Sequence, residues 1–373
     1  MAKKAKQQRS GVAVIADVHA ANHKRWGGSS EEGLNHRARL VVTAVNEAVT
    51  VADNAGCSHL VVAGDLFDSW RPEPAVVTAL QHEFNSARER GVEVVVLPGN
   101  HDLIDADAAG GNTACAPLWQ SAQLVIEPGW WRLGDLAVLM VPFQAHVPMA
   151  LHLGEVLSGH KVPAEFAPGA KRLLVTHVGV YGAEDATPWQ KRAKDAVEAK
   201  FLLNLMEDAG IETAFVGNYH DHHRWVSVAQ RRIFQVGTLA PASFSDAGLK
   251  DRGLVAVYKD GGIKMVEAFG PRFVDVPGHL AAHELERMGA ASLRATFVRV
   301  ADGTELGIDP GRLGGVEFAD EPEAASVAGD PIASPPADPG AELAAFVEEM
   351  ELPEDVDRRA VAALVAECWK KGA

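Results

Sequence analysis

The chain has 373 residues, 47% of them apolar, enough to bury one large core or a large core with a small appended one. Three distant cysteines, Cys57, Cys115 and Cys368, exclude a disulfide framework or a cysteine zinc site, and no apolar run reaches membrane length. The net charge of −15 does not exclude an anionic substrate: residues 301–373 hold 17 acidic and 5 basic side chains, a net of −12, which leaves −3 for residues 1–300.

Met1 to Arg9 is basic but is followed only by a short apolar run, Gly11 to Ala16, so neither a signal peptide nor a membrane span is read there. A cytoplasmic protein with no membrane partner is expected. Gly11 to Asp17 reads as a fully apolar strand. Ser29 with Glu32 makes a capping box ahead of a helix whose apolar face is Leu40, Val41, Ala44, Val45, Ala48 and Val51. A strand over His59 to Asp65, a helix over Pro72 to Arg90 ended by Gly91, and a strand over Glu93 to Leu97 complete a β-α-β-α-β run. Strands this apolar are buried on both faces, and sites in such sheets form at the carboxyl ends, where Asp17, Asp65 and Asn100 fall.

The second half is richer in strands: Trp131 to Phe143, Lys171 to His177, Glu212 to Val216, Arg224 to Gly237, and Gly253 to Phe269 with a hairpin at Asp260-Gly261-Gly262. A mixed sheet or two packed sheets is expected. Residues 319–340, with five prolines among Ala, Asp and Glu, read as a linker. Beyond it, Leu343, Phe346, Val347 and Met350, and then Val361, Leu364, Val365 and Cys368, form two apolar stripes of a helical hairpin across Pro353.

Five motifs sit at the ends of apolar runs: Asp17-Val18-His19, Gly64-Asp65-Leu66-Phe67-Asp68, Gly99-Asn100-His101-Asp102, Thr176-His177 and Gly217-Asn218-Tyr219-His220-Asp221-His222-His223. Carboxylate, amide and imidazole donors suit Mn²⁺ first, with Fe, Zn or Mg as alternatives. Two such ions about 3.5–4 Å apart polarise a phosphoryl group. Asp17 and His19 can grip one ion, Asp65 can bridge both, and Asn100 can reach the second, with His177 and the late histidines completing the shells. His101 then projects toward substrate as a catalytic acid, with Asp102 available to orient its ring. A single strand-end histidine is more often structural than a ligand, but five motifs in one order outweigh that reading. Lys24 and Arg25, beside His23 and Trp26, together with Arg71, are candidate nucleic-acid contacts, against the alternative of a solvated loop.

This order of motifs resembles the calcineurin-like metallophosphoesterase superfamily, over residues 11 to about 237. The resemblance implies an α/β fold, a double β-sheet sandwich flanked by helices. Gly64 to Pro74, and Gly237 to Phe244 followed by Arg252-Gly253-Leu254-Val255, look like the SbcD-type DNA-repair nucleases. Carried over by position, Asp17, His19, Asp65, Asn100 and His177 become ligands, with His101 catalytic and Asp102 its partner. The family's G-H-x-H is altered here. Anchoring on Gly217 gives Asn218 and His220; anchoring on histidine spacing gives His220 and His222. Pro271-Arg272-Phe273-Val274-Asp275 would open a small cap.

The domains expected are therefore 11–270 catalytic, 271–318 cap-like, 319–340 linker and 341–373 helical hairpin. The activity expected is two-metal hydrolysis of DNA, as an exonuclease or end-processing nuclease. A small-molecule phosphoesterase or lipid-sugar pyrophosphatase is the alternative, and a non-catalytic scaffold a third. The resemblance also implies an SbcC-type ATPase partner for residues 341–373, and a homodimer is a further arrangement to test.

Overall fold

The computed structural model describes residues 9–318 except 167–168, 185, 250–251 and 302–303, so the expected linker and helical hairpin lie outside the described residues. The first sheet is built from β1 (Val12–Ile15), α1 (His36–Asn54), β2 (His59–Ala63), α2 (Pro74–Glu89), β3 (Glu93–Leu97) and β4 (Gln123–Leu124). Strands β1 to β4 run parallel. The alternation of β1 explains its place: Ala13 and Ile15 face the helices with Val45, Leu80 and Phe84, while Val12 and Val14 face the other sheet with Met140, Val175 and Phe215.

The second sheet comes from β5 (Gly129–Leu133), β6 (Leu136–Val141), α3 (Met149–Gly159), β7 (Arg172–His177), the short pair β8 (Gly179–Tyr181) and β9 (Ala196–Glu198), α4 (Ala199–Asp208), β10 (Thr213–Gly217), β11 (His223–Val226) and β12 (Arg232–Gln235). Its order is β11-β12-β10-β7-β6-β5. Helices α3 and α4 cover its outer face through Met149, Leu153, Leu202 and Met206. The chain then returns to the first sheet as the hairpin β13 (Leu254–Lys259) and β14 (Gly262–Glu267), giving the order β14-β13-β1-β2-β3-β4. The result is an α/β double β-sheet sandwich flanked by helices. Among the described residues no helix is long and apolar enough to cross a membrane.

After the sandwich, β15 (Arg272–Val276), α5 (Ala282–Glu286), α6 (Ala290–Arg294), β16 (Thr296–Val300) and β17 (Gly315–Phe318) form a separate parallel three-stranded sheet. It has its own core of Val274, Leu285, Leu293 and Val298. Phe273 stacks on Phe297 at 4.9 Å and meets Trp26, Phe244 and Leu40 of the sandwich.

Several local expectations are corrected. Helix α1 is capped by Asn35, whose side chain accepts from the Ala38 N–H at 2.9 Å, and not by a Ser29–Glu32 box; an Asn directly before the first turn is as good an acceptor. The run Trp131 to Phe143 splits into β5 and β6 at Gly134, whose φ of 64° turns the chain back. Arg224 to Gly237 likewise splits into β11 and β12. Helices α3 and α4, which the sequence reading did not name, lie on crossovers, because β6, β7 and β10 pair in parallel.

Candidate metal centre

Parallel strands from both sheets end at one place, and their carboxyl ends carry the donors: Asp17 after β1, Asp65 after β2, Asn100 after β3, His177 at the end of β7 and His220 after β10. The turns needed to aim these side chains are strained. Asp17, His19, Asp65 and Asn218 have φ of 50°, 47°, 48° and 94°, a region that side-chain-bearing residues rarely adopt and that clusters at functional sites. Two glycines permit the crowding. A Cβ on Gly64 would lie 1.9 Å from His177 Nδ1, and one on Gly99 would lie 2.2 Å from Asp65 Oδ1.

Three overlapping groups each place their ligand atoms within 4.8 Å of one another: Asp17 with His19 and His220, Asp17 with Asp65 and His177, and His19 with Asp65 and His101. Asp17, His19, Asp65 and His177 are buried. His220 Nδ1 lies 2.7 Å from Asp246 Oδ1, and His19 Nδ1 lies 3.3 Å from Asp68 Oδ1. The Asp246 carboxylate holds a ring proton of His220 on Nδ1, and the Nε2 atoms of His19 and His220 face each other at 3.1 Å. On the other side, His177 donates Nδ1–H to the Ala63 carbonyl at 3.0 Å, which aims its Nε2 at Asn100 Oδ1, 2.8 Å away, and at Asp65 Oδ2, 3.3 Å away. Carboxylate, amide and imidazole atoms converging in one largely buried space are a donor set suited to cations. The donor set therefore fits two divalent ions, which Asp17, His19, Asp65, Asn100, His177 and His220 would hold.

The electrostatics agree. Burial raises the Asp17 carboxyl above its ordinary range. Burial alone would raise Asp65 too, but His177 beside it holds it well below that range. Burial pulls His177 down, yet Asp65 outweighs it and pushes the imidazole up to about 9. His19 is lowered by burial but, through Asp68 and Asp65, ends at about 8. These carboxylates draw positive charge, which divalent ions held by Asp17, His19, Asp65 and His177 would supply in place of the imidazole protons.

A model of the calcineurin-like phosphoesterase family matches residues 11–224. The chain belongs to that family. Members of it are metal-dependent phosphoesterases, and the donor cluster described above is consistent with a binuclear divalent metal site. Over 92 residues the chain is 28% identical to the DNA double-strand break repair protein Mre11 of Methanopyrus kandleri, a match that spans 25% of this chain and 19% of that protein. A dimetal phosphatase from Danio rerio is similar at 13% identity and a TM-score of 0.42, over 71% of this chain and 100% of that one.

Within this centre the expected role of Asp102 changes. Asp102 does not orient His101. It is fully buried and accepts from the backbone N–H groups of Leu66 at 3.1 Å, Phe67 at 2.9 Å and Gly99 at 2.9 Å, so it ties the Asp65 loop to the Asn100 loop. The His101 ring is exposed and donates Nδ1–H to the Asp68 carbonyl at 2.8 Å, while its own N–H donates to Asp65 Oδ1. A residue adjacent in sequence points the other way at this turn, which is why the pairing fails.

In the altered last motif, His220 is the residue brought to Asp17 and His19. His222 donates Nδ1–H to the Gln235 carbonyl at 2.7 Å and joins none of the three groups among the described residues. Asn218 contributes its backbone N–H to Asp17 at 3.0 Å, while its amide donates to Asp195. Arg25 pairs with Glu317 of the three-stranded sheet and covers Trp26, which makes it a fastening between modules and not a free phosphate contact. Lys24 is exposed, and Arg71, also exposed, stacks over Trp70 at 3.8 Å. Sequence reading missed Asp246 and the orienting use of Asp68. Both are carboxylates that a histidine ligand needs behind it, and Asp246 lies just past the singled-out stretch ending at Phe244.

Proposed function

We propose that this phosphoesterase is a nuclease that hydrolyses DNA phosphodiester bonds, with Mn²⁺ as its working ion. The observation that carries the reading is the exposed His101 ring at the rim of the donor cluster, its Nδ1 committed to the Asp68 carbonyl and its other nitrogen left to serve a substrate. The likeness to a double-strand break repair protein supports DNA as the substrate.

Asp17, His19 and His220, together with Asp65, Asn100 and His177, would hold the two ions. Such ions supply Lewis acidity toward a phosphoryl group and lower the pKa of bound water. The protein's own part begins with orientation. Asp68, Asp246 and the Ala63 carbonyl fix three imidazoles so that their Nε2 atoms converge. Asp102 pins the two loops that carry Asp65 and Asn100. His101, held through Nδ1, presents Nε2–H in its protonated form to the departing sugar oxygen and so assists bond cleavage as a general acid.

Lys24, in the loop after the first motif, and Arg71, just after the second, are both exposed and are proposed to meet the DNA backbone. We place the protein in the cytoplasm, a reading supported by the free, buried Cys57 and Cys115. Residues 341–373 are proposed to dock an SbcC-type ATPase. Incubation with Mn²⁺ and duplex DNA, single-stranded DNA and bis-p-nitrophenyl phosphate in parallel tests the substrate. Cleavage of the small diester without cleavage of either DNA would assign a small-molecule substrate instead. Deleting 341–373 should spare small-diester hydrolysis and abolish co-purification with the ATPase.

A further inference from the structure

Two arginines that the metal centre does not use meet where the sandwich joins the three-stranded sheet. Arg252 lies just before β13 and Arg272 is the first residue of β15. Both line a cavity of about 130 Å³, with Gly253, Glu267, Ser292 and Thr296 among its other walls. Both side chains are half-buried. Arg252 gives one Nη1 hydrogen bond to the Leu249 carbonyl at 2.7 Å. Among the described residues the buried Nε of Arg272 has no hydrogen-bond partner, although its backbone N–H donates to the Ala295 carbonyl. Among the described lining residues Glu267 is the single acid and is itself exposed, so these residues carry a net positive charge. Burial first, and then the charge of Arg272, push Arg252 below its ordinary range.

Two guanidinium groups lining one small space repel each other, and that of Arg272 keeps a buried Nε–H unsatisfied among the described residues. A carboxylate has one edge to offer such a fork. A phosphate offers several oxygen edges, enough for two forks at once. We propose that this cavity is a binding site for a phosphate-class anion, separate from the metal centre. Its wall is nonetheless close to that centre in bonding: Gly253 N–H donates to the Thr238 carbonyl at 2.9 Å, Thr238 Oγ1 donates to the Asp17 carbonyl at 2.7 Å, and Leu239 N–H donates to the Ala16 carbonyl at 3.0 Å. Free phosphate and a phosphodiester of a bound strand present the same oxygens, and the site stands whether or not DNA is the substrate.

The test is calorimetric titration of the full-length chain with inorganic phosphate, before and after chelation of metal. Phosphate held by the metal ions disappears on chelation, whereas the arginine site should persist at one phosphate per chain. Arg252→Gln and Arg272→Gln should each weaken this chelator-resistant binding at least tenfold and leave Mn²⁺-dependent hydrolysis of bis-p-nitrophenyl phosphate unchanged. If Arg272→Gln fails to fold, Arg252→Gln decides alone. Loss of all phosphate binding on chelation, or chelator-resistant binding indifferent to the substitutions, overturns the proposal. Competition by a short DNA duplex against this binding would assign the site to a strand's backbone. Its failure to compete would assign it to free phosphate.

Discussion

Replacing Asp102 by alanine separates a residue that organises backbone from one that serves the catalytic histidine. The carboxylate is fully buried and receives three backbone N–H groups, from Leu66, Phe67 and Gly99. A buried donor left without an acceptor costs about 1–2 kcal/mol, and ending the desolvation of the carboxylate returns about 2 kcal/mol, so Asp102→Ala should lose about 1–4 kcal/mol of stability. The freed loops carry Asp65 and Asn100, so Mn²⁺ affinity should fall with stability. Asp102→Asn keeps one acceptor but sets an NH₂ group against the donors, and should fall between the two. Neither change reaches the His101 ring, which is held by the Asp68 carbonyl. Urea unfolding, metal content by elemental analysis, and the pH profile of kcat at saturating Mn²⁺ measure the three effects. Wild-type stability and metal content combined with a displaced pH profile would refute the reasoning and return Asp102 to the role of His101's partner.

His101→Ala should lower turnover about 10²- to 10⁴-fold while elemental analysis still finds two ions, since the ring is cast as an acid and not a ligand. His220→Ala should remove metal, whereas His222→Ala, which loses only a bond to the Gln235 carbonyl, should retain it; equal effects in elemental analysis would contradict the placement. Phe84→Ala, which empties a fully buried position between α2 and the first sheet, should cost about 3–5 kcal/mol in urea unfolding without altering metal content.

The first β-α-β-α-β run was legible because its strands are apolar on both faces and each ends in a polar motif that has no reason to follow a core strand. The two-sheet sandwich needed the resemblance as well, since apolar runs such as Trp131 to Phe143 do not announce where a hairpin breaks them. Helices α3 and α4 were invisible for a related reason. Their existence is demanded by parallel pairing of β6, β7 and β10, and pairing is not written in either partner strand alone. Which side chains converge was largely readable, because a donor must have the right chemistry wherever it falls. Orientation was not. The acceptors behind His177, His101 and His220 are Ala63, Asp68 and Asp246, and two of these act through a main-chain carbonyl that any residue would supply.

Asn218 shows how the ambiguous motif resolves. Two alignments of the last motif placed either Asn218 or His222 beside His220, each assuming that a side chain fills the position. The chain instead bends at Asn218 with a φ of 94°, a conformation that Asn tolerates better than most residues, and this turn sends its backbone N–H onto the Asp17 carboxylate. The amide side chain, turned away, is held by Asp195. What the centre takes from this residue is therefore a backbone donor that anchors one ligand, a contribution that survives substitution of the side chain provided the left-handed turn is kept. Asn218→Gly should accordingly preserve metal binding better than Asn218→Val, whose branched side chain resists that turn. The opposite ranking in a metal-content assay would show that the amide itself, and not the turn, is what the site requires.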